Sequence, residues 1–205
     1  MTLPTLYGHH DSGHAYKVRL ALTLARIDHA YVHVDIWLPH EQRPEPFRSL
    51  APFKEVPLLV MDGRVLAQSD AILCQIAETF GVLGGESPER LARAREWLFW
   101  EANRIGMALP QLRYAKRFAP DAFSPDALLW IRSRFEKDIA RLDEELARTQ
   151  AFILDTAPSI ADFALCGYLF WASEAGITPP AHVQRWLERI ANLPGWLPPY
   201  ELLKA

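Results

Sequence analysis

The chain has 205 residues, half of them apolar and 23% charged, and its formal net charge is −3. A length of this order allows one large domain or two small ones and buries roughly 70% of the unfolded surface, so no disulfide or metal is needed to fold. The mild acidity argues against a nucleic-acid partner, whose phosphates need a basic face, and the two cysteines, Cys74 and Cys166, form no CxxC or zinc pattern and fit a reducing compartment.

Met1–Asp11 lacks the basic and apolar regions of a targeting segment. The longest nearly apolar run, Phe163–Ala172, is about half of what a membrane helix needs. The expectation is a soluble cytoplasmic protein without a membrane partner. Leu3–Tyr7 is a short apolar run ended by Gly8, which predicts a strand. From Gly13, the apolar residues Ala15, Val18, Ala21, Leu22 and Ala25 recur at spacings of three and four, which predicts an amphipathic helix. Ala30–Ile36 alternates with period two and predicts a second strand. The Pro-rich stretch Leu38–Pro52 is too broken for a regular element. Val56–Met61 and Arg64–Ala67 flank Asp62-Gly63, a strong hairpin signal. Ser69 then offers an N-cap for a helix running through Ala71, Ile72, Ile76 and Phe80 to Gly81. The order β-α-β, hairpin, helix is thioredoxin-like and spans residues 1–80, with Pro57 at the start of the third strand.

Residues 81–87 read as a linker, and residues 88–205 as an all-α domain. Ser87-Pro88-Glu89 opens a long helix with an N-cap serine and a first-turn proline. Pro125–Arg148 is a second long amphipathic helix. Ser159-Ile160-Ala161-Asp162 opens a third, with Asp162 in the place of a capping-box glutamate; a cap of this kind contributes about 1 kcal/mol. His182–Ala191 is a fourth, stopped by Asn192-Leu193-Pro194-Gly195.

Four segments in this order resemble the soluble glutathione transferase family over essentially the whole chain. Leu6-Tyr7-Gly8-His9 with Ser12 and Lys17-Val18-Arg19 is similar to the opening of serine-type, theta- and phi-like members. Pro52-Phe53-Lys54-Glu55-Val56-Pro57-Leu58-Leu59 resembles the family segment NPFGQVPVL. Leu66-Ala67-Gln68-Ser69-Asp70-Ala71-Ile72 resembles the signature ESxAI, and Ala157–Asp162 resembles xPTIAD. The resemblance implies a thioredoxin-like domain followed by an all-helical one, a homodimer, glutathione as co-substrate and a small hydrophobic electrophile as second substrate. It also implies a cis bond before Pro57.

The chemistry these residues suit is thiol activation. A free thiol has a pKa of about 8.5, so only a few per cent is thiolate at neutral pH. A Ser12 hydroxyl donating to sulfur beside a helix N-terminus stabilises that charge; a shift of about two units corresponds to about 2.7 kcal/mol. The alternative roles are Ser12 as a simple cap and Tyr7 as the donor. Val56, held by Pro57, offers backbone groups for the cysteinyl backbone of glutathione. Gln68 and Ser69 lie at a helix start, a site for the γ-glutamyl carboxylate. Glu55 stands where a neutral or basic residue is expected, which leaves Lys54, His40 and Arg43 as candidates for the glycyl carboxylate. Met107, Gln111, Tyr114 and Phe118 are candidates for the electrophile pocket. His9, His10 and His14 crowd the Ser12 loop, the role of His14 is open, and no histidine spacing suggests a metal. Competing activities on this scaffold are a glutathione-dependent peroxidase, reductase or isomerase, and a non-catalytic interaction module.

Overall fold

In the computed structural model, which describes residues 2–149 and 151–204, β1 (Thr5–Gly8) sits inside a four-stranded sheet of order β2-β1-β3-β4. Strand β2 (Ala30–His33) runs parallel to β1, with His33 opposite Gly8. It is shorter than the alternation predicts because β1 leaves the sheet at Gly8 and offers no partner beyond. Strands β3 (Leu58–Met61) and β4 (Arg64–Ala67) form the expected hairpin, and β3 pairs antiparallel with β1. Asp62 and Gly63 both have positive φ, 48° and 74°, as a type I′ turn requires.

Alternation along β1 divides the interior in two. Leu6 faces α1 (Gly13–Leu24) and, after the hairpin, α3 (Ser69–Phe80). Tyr7 faces the other side, in a small cluster with Val34, Phe47 and Leu58. Phe47 belongs to α2 (Phe47–Leu50), a single turn inside the stretch that sequence reading leaves irregular. The Val56-Pro57 bond is cis, and so is Glu45-Pro46.

Helix α3 ends at Gly81, whose φ of 62° forms a left-handed C-cap. Then α4 (Pro88–Ala102) starts under the Ser87 hydroxyl, which accepts from the Arg90 amide at 3.2 Å. The sequence pattern does not separate α4 from α5 (Ile105–Arg117); the chain breaks at Arg104, whose ψ of −99° is not helical. Helices α6 (Pro125–Arg148), α7 (Ile160–Leu169), α8 (Ala181–Ala191) and α9 (Pro199–Leu202) complete the helical half. Among the described residues, no helix is long and apolar enough to cross a membrane.

Helix α7 is the spine. A Cβ on Gly167 would lie 2.9 Å from the Gly13 carbonyl oxygen, and one on Gly13 would lie 2.5 Å from the Tyr168 ring. Gly167 lets the α1 backbone come close to α7, and Gly13 makes room for the Tyr168 ring. One buried cluster therefore runs from Leu6 and Ile72 through Leu98 and Leu109 to Phe163 and Trp186. The first turn of α7 is tied down by Asp162, which is fully buried. Its Oδ2 accepts from the Ser159 amide at 2.9 Å and the Ser159 hydroxyl at 3.0 Å. Its Oδ1 accepts from the Ile153 amide and the Trp186 indole, both at 2.9 Å. Asp162 is thus a junction of three segments rather than a cap alone.

Candidate active site

After Gly8 the chain turns, with the Ser12 amide donating to the His9 carbonyl at 3.0 Å. Ser12 is the N-cap of α1, and its Oγ accepts from the Ala15 amide at 3.1 Å. Acting as acceptor in that bond, the hydroxyl keeps its own proton for another partner. Ser12 opens onto a cavity of about 800 Å³ between the sheet and the helical half. Six of the residues singled out from sequence, Ser12, Lys54, Val56, Pro57, Gln68 and Ser69, line this cavity. Tyr7 does not: strand alternation turns its ring to the opposite face, 5.9 Å from Phe47. Burial there raises its phenol above the ordinary value.

Ser69 corrects the sequence reading. The N-cap of α3 is Gln68, at φ 68°, and Ser69 is the first helical residue. The left-handed turn at Gln68 swings the chain abruptly from β4 into α3, so the Ser69 hydroxyl is not used as a cap. The Ser69 amide still belongs to the first turn and has no partner within the helix. Gln68 Nε2 donates to Glu55 Oε2 at 3.4 Å, so Glu55 lies in the cavity wall with a neutral partner. Lys54 has φ 58°, which explains the glycine of the resembled motif at this place.

The three basic candidates separate. His40 does not line the cavity; its Nε2 lies 3.1 Å from the Arg48 carbonyl. Arg43 lines it but spends its guanidinium on the carbonyls of Lys54, Leu38 and Ile36 at 2.6, 3.1 and 3.1 Å. Lys54 is exposed at the rim.

Sequence reasoning missed a buried ionic triad on the cavity wall. Lys17 Nζ is 2.7 Å from Asp70 Oδ1 and 3.0 Å from Glu101 Oε2. Burial pushes the Glu101 carboxyl up, against the pull of Lys17, to about 7. Burial works against the Lys17 ammonium, but the two carboxylates outweigh it and leave it raised. Burial, with Lys17 nearby, lowers the His14 imidazole to about 3, so His14 is neutral, and its Nδ1 has no partner among the described residues.

A second omission is Arg113 of α5, which is 2% exposed. Its Nη1 donates to the Asp11 carbonyl at 2.8 Å and its Nη2 to Asp11 Oδ1 at 3.0 Å. Its Nε donates to Glu174 at 2.7 Å, and its plane lies 4.5 Å over Trp171. The helical half therefore holds the residue immediately before Ser12. A third is Trp37, which packs on Phe118 at 5.0 Å and stacks on Tyr114 at 6.3 Å, over a smaller cavity of about 220 Å³. Met107 and Gln111 line the larger cavity, and Gln111, Tyr114 and Phe118 the smaller.

Residues 11–79 match the model of the glutathione S-transferase N-terminal domain, and residues 131–194 that of the C-terminal domain. The chain is 28% identical to the disulfide-bond oxidoreductase YfcG of Escherichia coli, over 93% of this chain and 88% of that one. It is 27% identical to the maleylacetoacetate isomerase of Pseudomonas aeruginosa, over 92% and 89%. A solved glutathione S-transferase from Pseudomonas fluorescens is similar with a TM-score of 0.85 and 28% identity, over 97% of this chain and 99% of that one. The theta class enzyme of Xanthomonas axonopodis, solved with glutathione bound, shares the fold with a TM-score of 0.81 at 20% identity, over 95% of each chain. The chain belongs to the glutathione S-transferase family.

Proposed function

We propose that this protein is a cytoplasmic glutathione transferase in which Ser12 stabilises the glutathione thiolate. The observation that carries this reading is the meeting of two helix N-termini in one cavity. Ser12 opens α1 with a hydroxyl proton to donate, and Ser69 and Asp70 open α3 with amides that have no partner within the helix. The tripeptide lies between them, its γ-glutamyl carboxylate on the α3 amides and Ser69, and its cysteinyl backbone along Val56 before Pro57. Gln68 and Lys54 contact the remainder. Residues 1–80 supply this glutathione site, 81–87 connect, and 88–205 supply the wall for the electrophile, including Met107, Gln111, Tyr114 and Phe118. The thiolate attacks the electrophilic carbon, the carbon–sulfur bond forms, and the leaving group departs with the electron pair.

The test is a pH–rate profile with glutathione and a generic aryl halide. Ser12→Ala is expected to cut turnover about ten- to a hundredfold at neutral pH, the scale of one charged hydrogen bond at about 1.5–3 kcal/mol. The loss shrinks above a pH of about 8.5, where the thiol ionises unaided. Because Ser12 also caps α1, about 1 kcal/mol of stability goes with it, so melting is followed in parallel. Tyr7→Phe is the control and leaves turnover near wild type. If Tyr7→Phe abolishes the thiolate while Ser12→Ala keeps it, the serine assignment is wrong.

A second reading is glutathione-driven reduction of a disulfide, favoured by the name of the Escherichia coli relative. Here glutathione supplies both thiols, since Cys74, the cysteine that lines the cavity, has its thiol raised by burial. Faster turnover of a glutathione mixed disulfide than of any aryl halide or activated alkene would favour this reading.

The assembly we propose is a homodimer joining the sheet half of one subunit to the α4 region of its partner. Phe53 and Phe99 support it, at 59% and 78% exposed on those two surfaces. Light scattering at micromolar concentration is expected to give twice the chain mass, and Phe53→Asp to shift it towards the monomer. A wild-type monomer across a wide dilution series would refute the dimer.

A further inference from the structure

On the Ser12 loop three imidazoles meet that are scattered in the sequence. His9 and His10 follow β1, and the parallel register brings His33 at the end of β2 opposite Gly8. Each ring offers a nitrogen within 4.8 Å of the other two. His10 and His33 stack with their planes 12° apart, and His10 Nδ1 lies 3.2 Å from His33 Nε2. Two imidazole nitrogens on one tetrahedral ion at 2.0–2.1 Å stand about 3.3–3.4 Å apart, so the pair already has the bite of a chelate.

The surroundings prepare the right nitrogen. His10 Nε2 lies 3.2 Å from Asp11 Oδ2, which favours the proton on Nε2 and leaves Nδ1 with its lone pair. Asp11 is itself held by Arg113 at 3.0 Å, so this carboxylate is fixed. The His10 side chain is 49% exposed, which leaves water free to complete the coordination. His9 is different. It is 1% exposed, and its Nδ1 accepts from the Asp11 amide at 3.0 Å, which places its proton on Nε2. It packs behind the pair, 4.0 Å from His10 and 5.0 Å from His33 between ring centroids, rather than offering a lone pair.

We propose that His10 Nδ1 and His33 Nε2 form a two-imidazole seat for a divalent transition-metal ion of the kind imidazole prefers, Cu²⁺, Ni²⁺ or Zn²⁺. The ion would clip the β1–α1 loop to the end of β2. Because the Ser12 amide is hydrogen-bonded to the His9 carbonyl, the clip acts on the segment that positions Ser12. The inference rests on the imidazole geometry alone and stands whether or not glutathione is the substrate.

The test uses untagged protein dialysed against a chelator. Cu²⁺ is followed by electron paramagnetic resonance and Zn²⁺ by calorimetry. One ion per chain is expected, with nitrogen hyperfine structure in the Cu²⁺ spectrum and a melting temperature raised by several degrees at saturating Zn²⁺. His10→Ala and His33→Ala should each weaken binding at least tenfold. His182→Ala, which removes the imidazole beside Asp143, should leave it unchanged. His33→Gln replaces His33→Ala if the alanine variant does not fold without metal. Absence of stoichiometric binding at micromolar ion, or binding that survives both His10→Ala and His33→Ala, overturns the proposal.

Discussion

Asp162→Ala is expected to destabilise the protein by about 3–5 kcal/mol, because it leaves buried donors without an acceptor. The carboxylate accepts from four donors on three segments, and none of them has water as an alternative. Truncation leaves the Ile153 amide, the Ser159 amide and the Trp186 indole buried without an acceptor. Each such group costs about 1–3 kcal/mol, although partial hydration of the space vacated by the carboxylate lowers the sum. At about 2–4 °C per kcal/mol for a chain of this size, the melting temperature should fall by roughly 10 °C. The cap expectation of about 1 kcal/mol drawn from the Ser159–Asp162 pattern is therefore too small. Asp162→Asn keeps one acceptor oxygen but turns an amide donor toward other donors, so it should fall between. Denaturation curves check the stability, and calorimetry with glutathione below the transition should find affinity nearly unchanged. A loss near 1 kcal/mol would reduce Asp162 to an ordinary cap, and a large affinity loss in a stable variant would make it part of the ligand site.

Arg113→Met should cost a similar amount and should reach the chemistry as well. Its guanidinium pairs with Asp11, Glu174 and Tyr200 at once. Glu174 keeps Arg117 as a partner, so the carboxylate that loses its close cation is Asp11, which keeps His10 Nε2 at 3.2 Å and the Tyr200 hydroxyl at 3.3 Å, with Arg117 Nη2 3.9 Å away. Removing one partner of a buried ion pair typically costs about 3–5 kcal/mol, and the His10, Tyr200 and Arg117 contacts that remain point to the lower end. Asp11 precedes Ser12, so turnover at neutral pH should fall along with stability. The diagnostic is a double-mutant cycle with Asp11→Asn, in which the second substitution should recover part of the stability. A coupling below about 0.5 kcal/mol would show the two residues to be independent.

Local signals carried the reading of the first half a long way. Asp62-Gly63 marks the hairpin and Ser87-Pro88 a helix start, because turns and caps are decided within four residues. The single turn α2 was not legible, since it exists by burying Phe47 against Tyr7. The α4–α5 break was hidden because an apolar period continues across Arg104. In the site, Ser12, Gln68 and Ser69 were legible through position and motif. Asp11 and Arg113 lie 102 positions apart, and only the folded chain joins them. The same holds for Lys17 with Asp70 and Glu101, and for His33 with His10. The Ser69 cap was misread because a left-handed Gln68 has no marker in the sequence.

The glycine crossing of α1 and α7 bears on how the molecule comes apart. At this close crossing the two helices share one interior, and the sheet half has no separate core on the α1 face. Opening that interface exposes Ile72 and Leu6 together with Phe163, so the halves cannot melt in succession. Amide protons of α1 should then exchange with solvent at the slow rate set by global opening, in step with those of α7. The Ser12 hydroxyl therefore stands at the edge of the most cooperative part of the molecule, whereas the Lys54 and Arg43 side of the cavity is built from irregular chain outside that shared interior.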